Sequence, residues 1–208
     1  RKVRDNKPAD GFCRELWAEM AEMGWAGIVV DESHGGSGFG YVGAGVLAEQ
    51  MGRNLTASPF FSTSVLGATA IQQYGTQKQK DENLAAISRG ERLFALAVDE
   101  GPRHNPSRIK FSAKPAGNGF VLSGTKTFVA DGHVADKLII AARTSGEEGE
   151  ADGITLFLVD ADLPEIERQA TPMVDSRNAA DITIDGLEVT GDDILGELDG
   201  GYAALEGI

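Results

Sequence analysis

The chain has 208 residues, 41% of them hydrophobic, and carries 19 Lys+Arg against 32 Asp+Glu, a formal net charge of −13. That length and apolar content suit one large or two small domains with a sizeable core. The negative charge argues against a nucleic-acid-binding surface, which needs clustered Lys and Arg.

The longest apolar runs, such as residues 138–142, fall far short of the roughly 20 residues a membrane span needs. The single cysteine, Cys13, permits no internal disulfide. With no signal-peptide pattern at its start, the sequence reads as a soluble, cytoplasmic globular chain. Residues 1–10 read as a polar tail or a helix entry. Both ends read as cuts, so the expectation is a fragment.

Residues 1–91 read as helical. Phe12, Leu16, Trp17, Met20 and Met23 recur at the spacing that lines one helix face, with Arg14, Glu15, Glu19 and Glu22 between them and Gly24 as a stop. A short apolar run, Ile28-Val29-Val30, leads into the glycine-rich loop 31–38. Further helices are predicted over 41–51, closed by Gly52-Arg53, and over 61–74, ended by Gly75. Thr76 and Gln79 have capping-box spacing before a polar helix that runs to Ile87.

Around Arg92 the period changes. Short strands are predicted at 93–98, 120–122, 127–130, 137–142, 154–159 and 182–189, with turns at Gly117-Asn118-Gly119 and at Asp185-Gly186. The acidic stretch 146–153 reads as a mobile loop. The spacing suits a small β-barrel or sandwich, after which the helix-like pattern resumes at Gly200-Gly201-Tyr202. The fold class is therefore α+β, and no internal repeat is evident.

No short motif names a chemistry by itself. Gly38-Phe39-Gly40-Tyr41-Val42-Gly43 is formally G-x-G-x-x-G, but it does not directly follow a strand and lacks the ribose-binding acid some 20 residues later. Its glycines read as tight turns and close helix approach. Ser37 lacks the G-x-S-x-G frame of a hydrolase nucleophile. His34, His104 and His133 lie far apart with no second ligand at metal spacing, so no metal site is expected and each reads as a loop or surface histidine. Cys13 reads as a small apolar or exposed thiol. Glu100, Asp131 and Asp136 read as solvated turn residues.

The ordered set of segments carries more. Residues 16–25, Val30-Asp31-Glu32-Ser33-His34-Gly35-Gly36-Ser37-Gly38, residues 120–126, 153–159 and 181–189, and Leu195-Gly196-Glu197 with Gly200-Gly201-Tyr202 together resemble the acyl-CoA dehydrogenase family, in family order over nearly the whole chain. The resemblance implies an N-terminal α-helical domain over 1–91, a small antiparallel middle β-barrel over 92–197, and at 198–208 the start of a C-terminal four-helix domain otherwise missing here.

It also implies a chemistry. In the family, noncovalent FAD takes a hydride from an acyl-CoA while a glutamate of the C-terminal domain removes the α-proton, giving the 2,3-enoyl-CoA. No catalytic residue is therefore expected in this chain. The expected partners are the acyl-CoA substrate, an electron-transfer flavoprotein and further subunits of a homo- or hetero-oligomer, with no nucleic acid and no membrane.

Two flavin-contacting strands carry over, at Leu96, Ala97 and Val98 and at Phe128, Val129 and Ala130. Phe128 keeps the family's aromatic surface, but Ala130 lacks the hydroxyl usual there, and neither Ala97 nor Val98 supplies one. Arg103 and His104 fall in the loop expected to meet the substrate, although that loop lacks the family's Glu-Pro and Gly-Ser-Asp pieces. These departures resemble small subunits of heteromeric acyl-CoA dehydrogenases, including the pimeloyl-CoA dehydrogenase type. The alternative they imply is a catalytically silent structural subunit with weak or absent FAD binding.

Overall fold

The computed structural model describes residues 10–173 and 177–208. The opening stretch predicted as a tail lies, up to residue 9, outside them. Helix α1 (Arg14–Glu22) buries Trp17, Met20 and Ala21. Leu16 and Met23, expected on the same face, are exposed. The inward stripe is thus narrower than the apolar spacing suggests, and part of it meets the turn at Gly90. The Trp17 indole donates to the Gly90 carbonyl at 3.0 Å and fixes that contact.

The run Ile28-Val29-Val30 is buried but forms turns rather than a strand. A 3-10 turn follows at Glu32–His34. Helix α2 (Gly40–Asn54) runs past the predicted Gly52 stop and ends where Leu55 takes a left-handed conformation, φ 49°. The predicted helix 61–74 is two pieces, a wide π-type segment Phe60–Gly67 followed by α3 (Ala68–Tyr74). Helix α4 (Gln77–Ser88) begins with the predicted capping box. The Thr76 hydroxyl accepts from the Gln79 N–H at 3.3 Å, and the Gln79 side chain accepts from the Thr76 N–H at 2.9 Å.

The strands are β1 (Phe94–Ala97), β2 (Ser112–Ala116), β3 (Gly119–Ala130), β4 (Lys137–Arg143), β5 (Ile154–Asp160), β6 (Ile166–Pro172), β7 (Asn178–Thr190) and β8 (Ile194–Leu195). Their order is β6-β7-β3-β2-β4-β5-β8, with β1 pairing in parallel along β4. The sheet is mostly antiparallel and does not close, so "barrel" overstates it. A short helix α5 (Gly201–Gly207) ends the chain.

Two predicted breaks are absent. Residues 120–122 and 127–130 belong to one long strand, β3. Asp185-Gly186 is no turn but an irregularity within β7, opposite a register shift between Leu122 and Ser123. Gly186 sits there at φ 75°, so a single left-handed residue absorbs the bulge and the strand continues. The acidic stretch predicted as a mobile loop wraps the Arg143 guanidinium, which donates to the carbonyls of Ser145, Glu150 and Asp152.

Helices and sheet share one hydrophobic core, in which Ile71, Leu84 and Ile87 meet Phe94, Leu138, Ile139 and Phe157. Two polar contacts fix the seam. The Phe94 N–H donates to the Thr63 hydroxyl at 3.0 Å, tying the π-type segment to β1. The Gln79 amide donates to the carbonyls of Asp192 and Ile194, each at 3.1 Å, tying α4 to the approach to β8.

Candidate functional site

The site is built at the far end of β3. Pairing with β7 breaks between Lys126 and Val129, and in the gap Phe128 adopts φ 59°. An aromatic residue in the left-handed region costs on the order of 1–3 kcal/mol and persists only where its surroundings hold it. Here they do. The Thr127 N–H donates to the Asp99 carbonyl at 2.8 Å, and the Phe128 N–H donates to the Asp181 carboxylate at 3.1 Å. The ring is thereby turned outward and stands 62% exposed.

Phe128 separates two cavities. The first, about 620 Å³, is walled by α2 through Tyr41, Ala44 and Met51, by Phe60, Phe61 and Val65 of the π-type segment, and by Phe128, Ala130 and Asp131. The second, about 680 Å³, lies on the loop side and is lined by Asp99, Gly101, Pro102, His104, Thr127, Phe128 and Asp181. The Thr127 hydroxyl is buried and has no hydrogen-bond partner among the described residues. Buried hydroxyls are normally paired, so this one is available to a group seated beside the ring.

The loop that walls the second cavity is pinned from beneath. Lys126 is fully buried and donates through Nζ to the Val98 carbonyl at 2.9 Å and to Glu100 at 2.7 Å. Glu100 in turn accepts from the N–H groups of Lys110 and Phe111, at 2.8 and 3.0 Å. The Lys126 ammonium also lies 5.1 Å from the centre of the Phe111 ring. Burial pushes its pKa down to about 8, against the opposing pull of Glu100 and Asp99. Gly124 makes room for this arrangement. It has φ +147°, and a Cβ there would come within 2.7 Å of the Phe111 ring.

The predicted site residues divide in two. Phe128 and Ala130 face the first cavity and His104 the second. Ala97, Val98 and Val129 are buried and Leu96 is packed against the core, so their side chains belong to the interior and only backbone groups could meet a cofactor. Arg103 is exposed and lines neither cavity, while His104 is 3.0 Å from an Asp99 oxygen.

Of the three carboxylates predicted as solvated turn residues, Asp136 is exposed while Glu100 and Asp131 are half-buried. Glu100 forms the buried pair just described. Asp136 accepts from the Leu93 N–H at 2.7 Å at the entry to β1. Asp131, at φ 55°, is half-buried at the first cavity, and burial raises its pKa against the Ser62 hydrogen bond. Each makes tertiary hydrogen bonds that local sequence does not announce. His133, expected in a loop or at the surface, lies in the turn after β3 and is part-buried, with Nε2 at 3.2 Å from the Asp10 carbonyl. Thr127 opens the segment matched to the second flavin strand, yet the resemblance assigns its side chain no contact. Its signal in the sequence is its position alone, directly before Phe128, with which it lines the second cavity.

Among the described residues, no cluster of three His, Cys, Asp or Glu could hold a metal ion, and no helix is long and apolar enough to cross a membrane.

Comparison with known proteins places this architecture. Residues 2–91 match the acyl-CoA dehydrogenase N-terminal domain and residues 99–186 the acyl-CoA dehydrogenase middle domain. The chain belongs to the acyl-CoA dehydrogenase family.

It is 32% identical to the mitochondrial long-chain specific acyl-CoA dehydrogenase of Rattus norvegicus over 71% of this chain and 35% of that protein. It is 28% identical to the 3-(aryl)acrylate reductase of Clostridium sporogenes over 92% of this chain and 52% of that protein. The structure of the ChsE4-ChsE5 complex from Mycobacterium tuberculosis superposes with a TM-score of 0.81 at 26% identity, covering 94% of this chain and 50% of that one. The chain thus spans about half the length of these proteins, or less.

Proposed function

We propose that this chain supplies the flavin platform and the inner wall of the acyl site of a flavoprotein that oxidises an acyl-CoA to its 2,3-enoyl-CoA. The observation that carries the reading is Phe128, an exposed ring held at positive φ between two cavities, with an unpartnered buried hydroxyl on the residue before it. These features fit FAD: a flat apolar ring suits the isoalloxazine, and Thr127 offers a hydroxyl to its polar edge.

When bound, FAD supplies the hydride acceptor. The residues of this chain bind and orient. Phe61, Val65 and Met51 form an apolar wall that excludes water from an acyl chain in the first cavity. Lys126 and Glu100 hold the loop carrying Asp99 and His104 against the second. The α-proton needs a base from outside the described residues, because Asp131, the single carboxylate lining the first cavity among them, is part-buried beside Ser62. Electrons would leave through an electron-transfer flavoprotein, and the assembly would be oligomeric.

A second reading rests on Ala130. It lines the first cavity without a hydroxyl to offer, and one similar structure is a complex of two named proteins. On that reading the chain supports an active partner and binds FAD weakly.

The test is the visible absorption spectrum of the gently purified protein, alone and co-expressed with a paralogous partner. A flavin spectrum bleached by an acyl-CoA, with flavin retention lowered about tenfold in Phe128→Ala, is the expected result. A colourless protein that gains flavin only with its partner would establish the supporting subunit instead. A protein colourless in both preparations would remove the flavin reading.

A further inference from the structure

Two carboxylates, Asp99 and Asp181, border the second cavity together with His104, Thr127 and Phe128. Asp99 is engaged: His104 Nδ1 lies 3.0 Å from one of its oxygens, and the Asn105 N–H donates to the other at 3.2 Å. Lys126, the cation behind that loop, is matched by Glu100 at 2.7 Å.

Asp181 stands differently. Its Oδ1 accepts the Phe128 N–H at 3.1 Å, and its neighbour across the ladder on β6 is the neutral Gln169. It makes no ion pair among the described residues. The β3–β7 ladder opens at this point, so the Phe128 N–H needs a side-chain acceptor. An amide or a hydroxyl would serve that N–H as well, so what Asp adds is a charge. Asp181 is half-buried, and solvent screens that charge only in part.

We infer that Asp181 tunes the redox balance of the flavin carried by Phe128, its carboxylate favouring the oxidised form over the reduced one. This rests on the flavin reading and deepens it. A hydride brings two electrons and one proton to the neutral isoalloxazine, and the product is an anion. A fixed carboxylate on the same cavity opposes that anion and leaves the neutral oxidised ring almost unaffected. The flavin is thereby a weaker acceptor, and the balance between acyl-CoA with oxidised flavin and enoyl-CoA with reduced flavin shifts towards the former.

The experiment is an anaerobic redox titration of the FAD-loaded protein, purified alone or with its paralogous partner, using xanthine and xanthine oxidase against an indicator dye. Asp181→Asn keeps an oxygen for the Phe128 N–H and removes the charge. It is expected to tighten reduced FAD about tenfold relative to oxidised FAD, a rise of about 30 mV in the two-electron potential. Asp181→Glu keeps the charge, and Asp185→Asn removes an exposed carboxylate of the same strand that lines neither cavity. Both should stay within about twofold of wild type. No rise in Asp181→Asn, or an equal rise in either control, overturns the inference and leaves the flavin platform standing. An Asp181→Asn protein that loses both forms of FAD equally would make Asp181 a brace for Phe128 and overturn it too. If the wild type takes up FAD in neither preparation, the flavin reading falls and this inference with it.

Discussion

Lys126 is a cation without solvent, and its cost is met by geometry. Its ammonium has a carbonyl, a carboxylate and an aromatic face around it, and Glu100 is only 14% exposed. Lys126→Met should therefore destabilise by about 3–5 kcal/mol, because it strands Glu100 as a buried unpaired charge. The double variant with Glu100→Gln should recover part of that loss, as urea titration of the two would show.

The same residue gives a pH signature. Its pKa is about 8 in the fold against an ordinary 10.5, so between those values the unfolded chain binds more protons than the folded one. Its contribution to stability is complete above pH 10.5 and is lost as pH falls through 8. A plot of wild-type minus double-variant stability against pH should rise across that window; a flat difference would contradict the assignment.

At Ala130 the missing hydroxyl is replaceable. The side chain is exposed on the cavity wall, so Ala130→Thr adds a donor with room to stand. It should tighten FAD binding severalfold if this position faces the flavin, as fluorescence titration would measure. Unchanged retention would remove Ala130 from the contact set.

Among elements, β3 governs the site. It begins at a Gly117-Asn118 turn, crosses the Phe111 ring at Gly124 and breaks from β7 at Phe128. Gly124→Ala should cost about 2–3 kcal/mol in chemical denaturation, since φ +147° and a 2.7 Å approach to Phe111 both oppose a Cβ. A near-neutral effect would mean that Phe111 can move aside, and that the ring does not fix the Lys126 clamp.

This strand also marks what the sequence makes legible. The capped helix α4, the hairpin turn before β3, and strands β4 and β5 follow from local pattern, because caps, turn residues and continuous apolar runs act over a few positions. Short β2, edge strand β6 and the two-residue β8 leave no such mark: residues such as Ser112, Lys114, Glu167 and Arg168 carry little apolar signal, and their pairing is decided by neighbours distant in the chain. The Asp185-Gly186 pair misleads for the converse reason, since Gly at positive φ serves a bulge as well as a turn. At the site, the segment around Phe128 was legible through family resemblance. The buried roles of Lys126, Glu100 and Asp131 were not, because burial of a charge depends on tertiary partners.

On the scale of the whole molecule, one surface stands out. Helix α2 buries only Ala44 among its 15 residues, and Phe39, Tyr41, Val42, Val46 and Leu55 are exposed beside it, as are Phe61 and Phe128. Apolar exposure on that scale binds hydrophobic dyes and promotes association. The chain on its own should enhance anilinonaphthalene sulfonate fluorescence, and the double substitution Val42→Glu with Val46→Lys should cut that signal by about half without lowering stability. No enhancement in the parent would mean that these side chains are covered in solution.

The indole of Trp17, hydrogen-bonded to the Gly90 carbonyl at the end of the helical region, gives the molecule a built-in reporter with a known address. The other tryptophan is Trp25, so both chromophores lie within the first 25 of 208 residues and none in the sheet. Intrinsic emission therefore watches the helices, while far-ultraviolet dichroism also watches the strands. Since both regions pack into one core, the two signals should change at the same denaturant concentration. Emission that shifts first would reveal a helical layer able to peel from a sheet that stays intact, a separate cooperative unit hidden within a continuous interior.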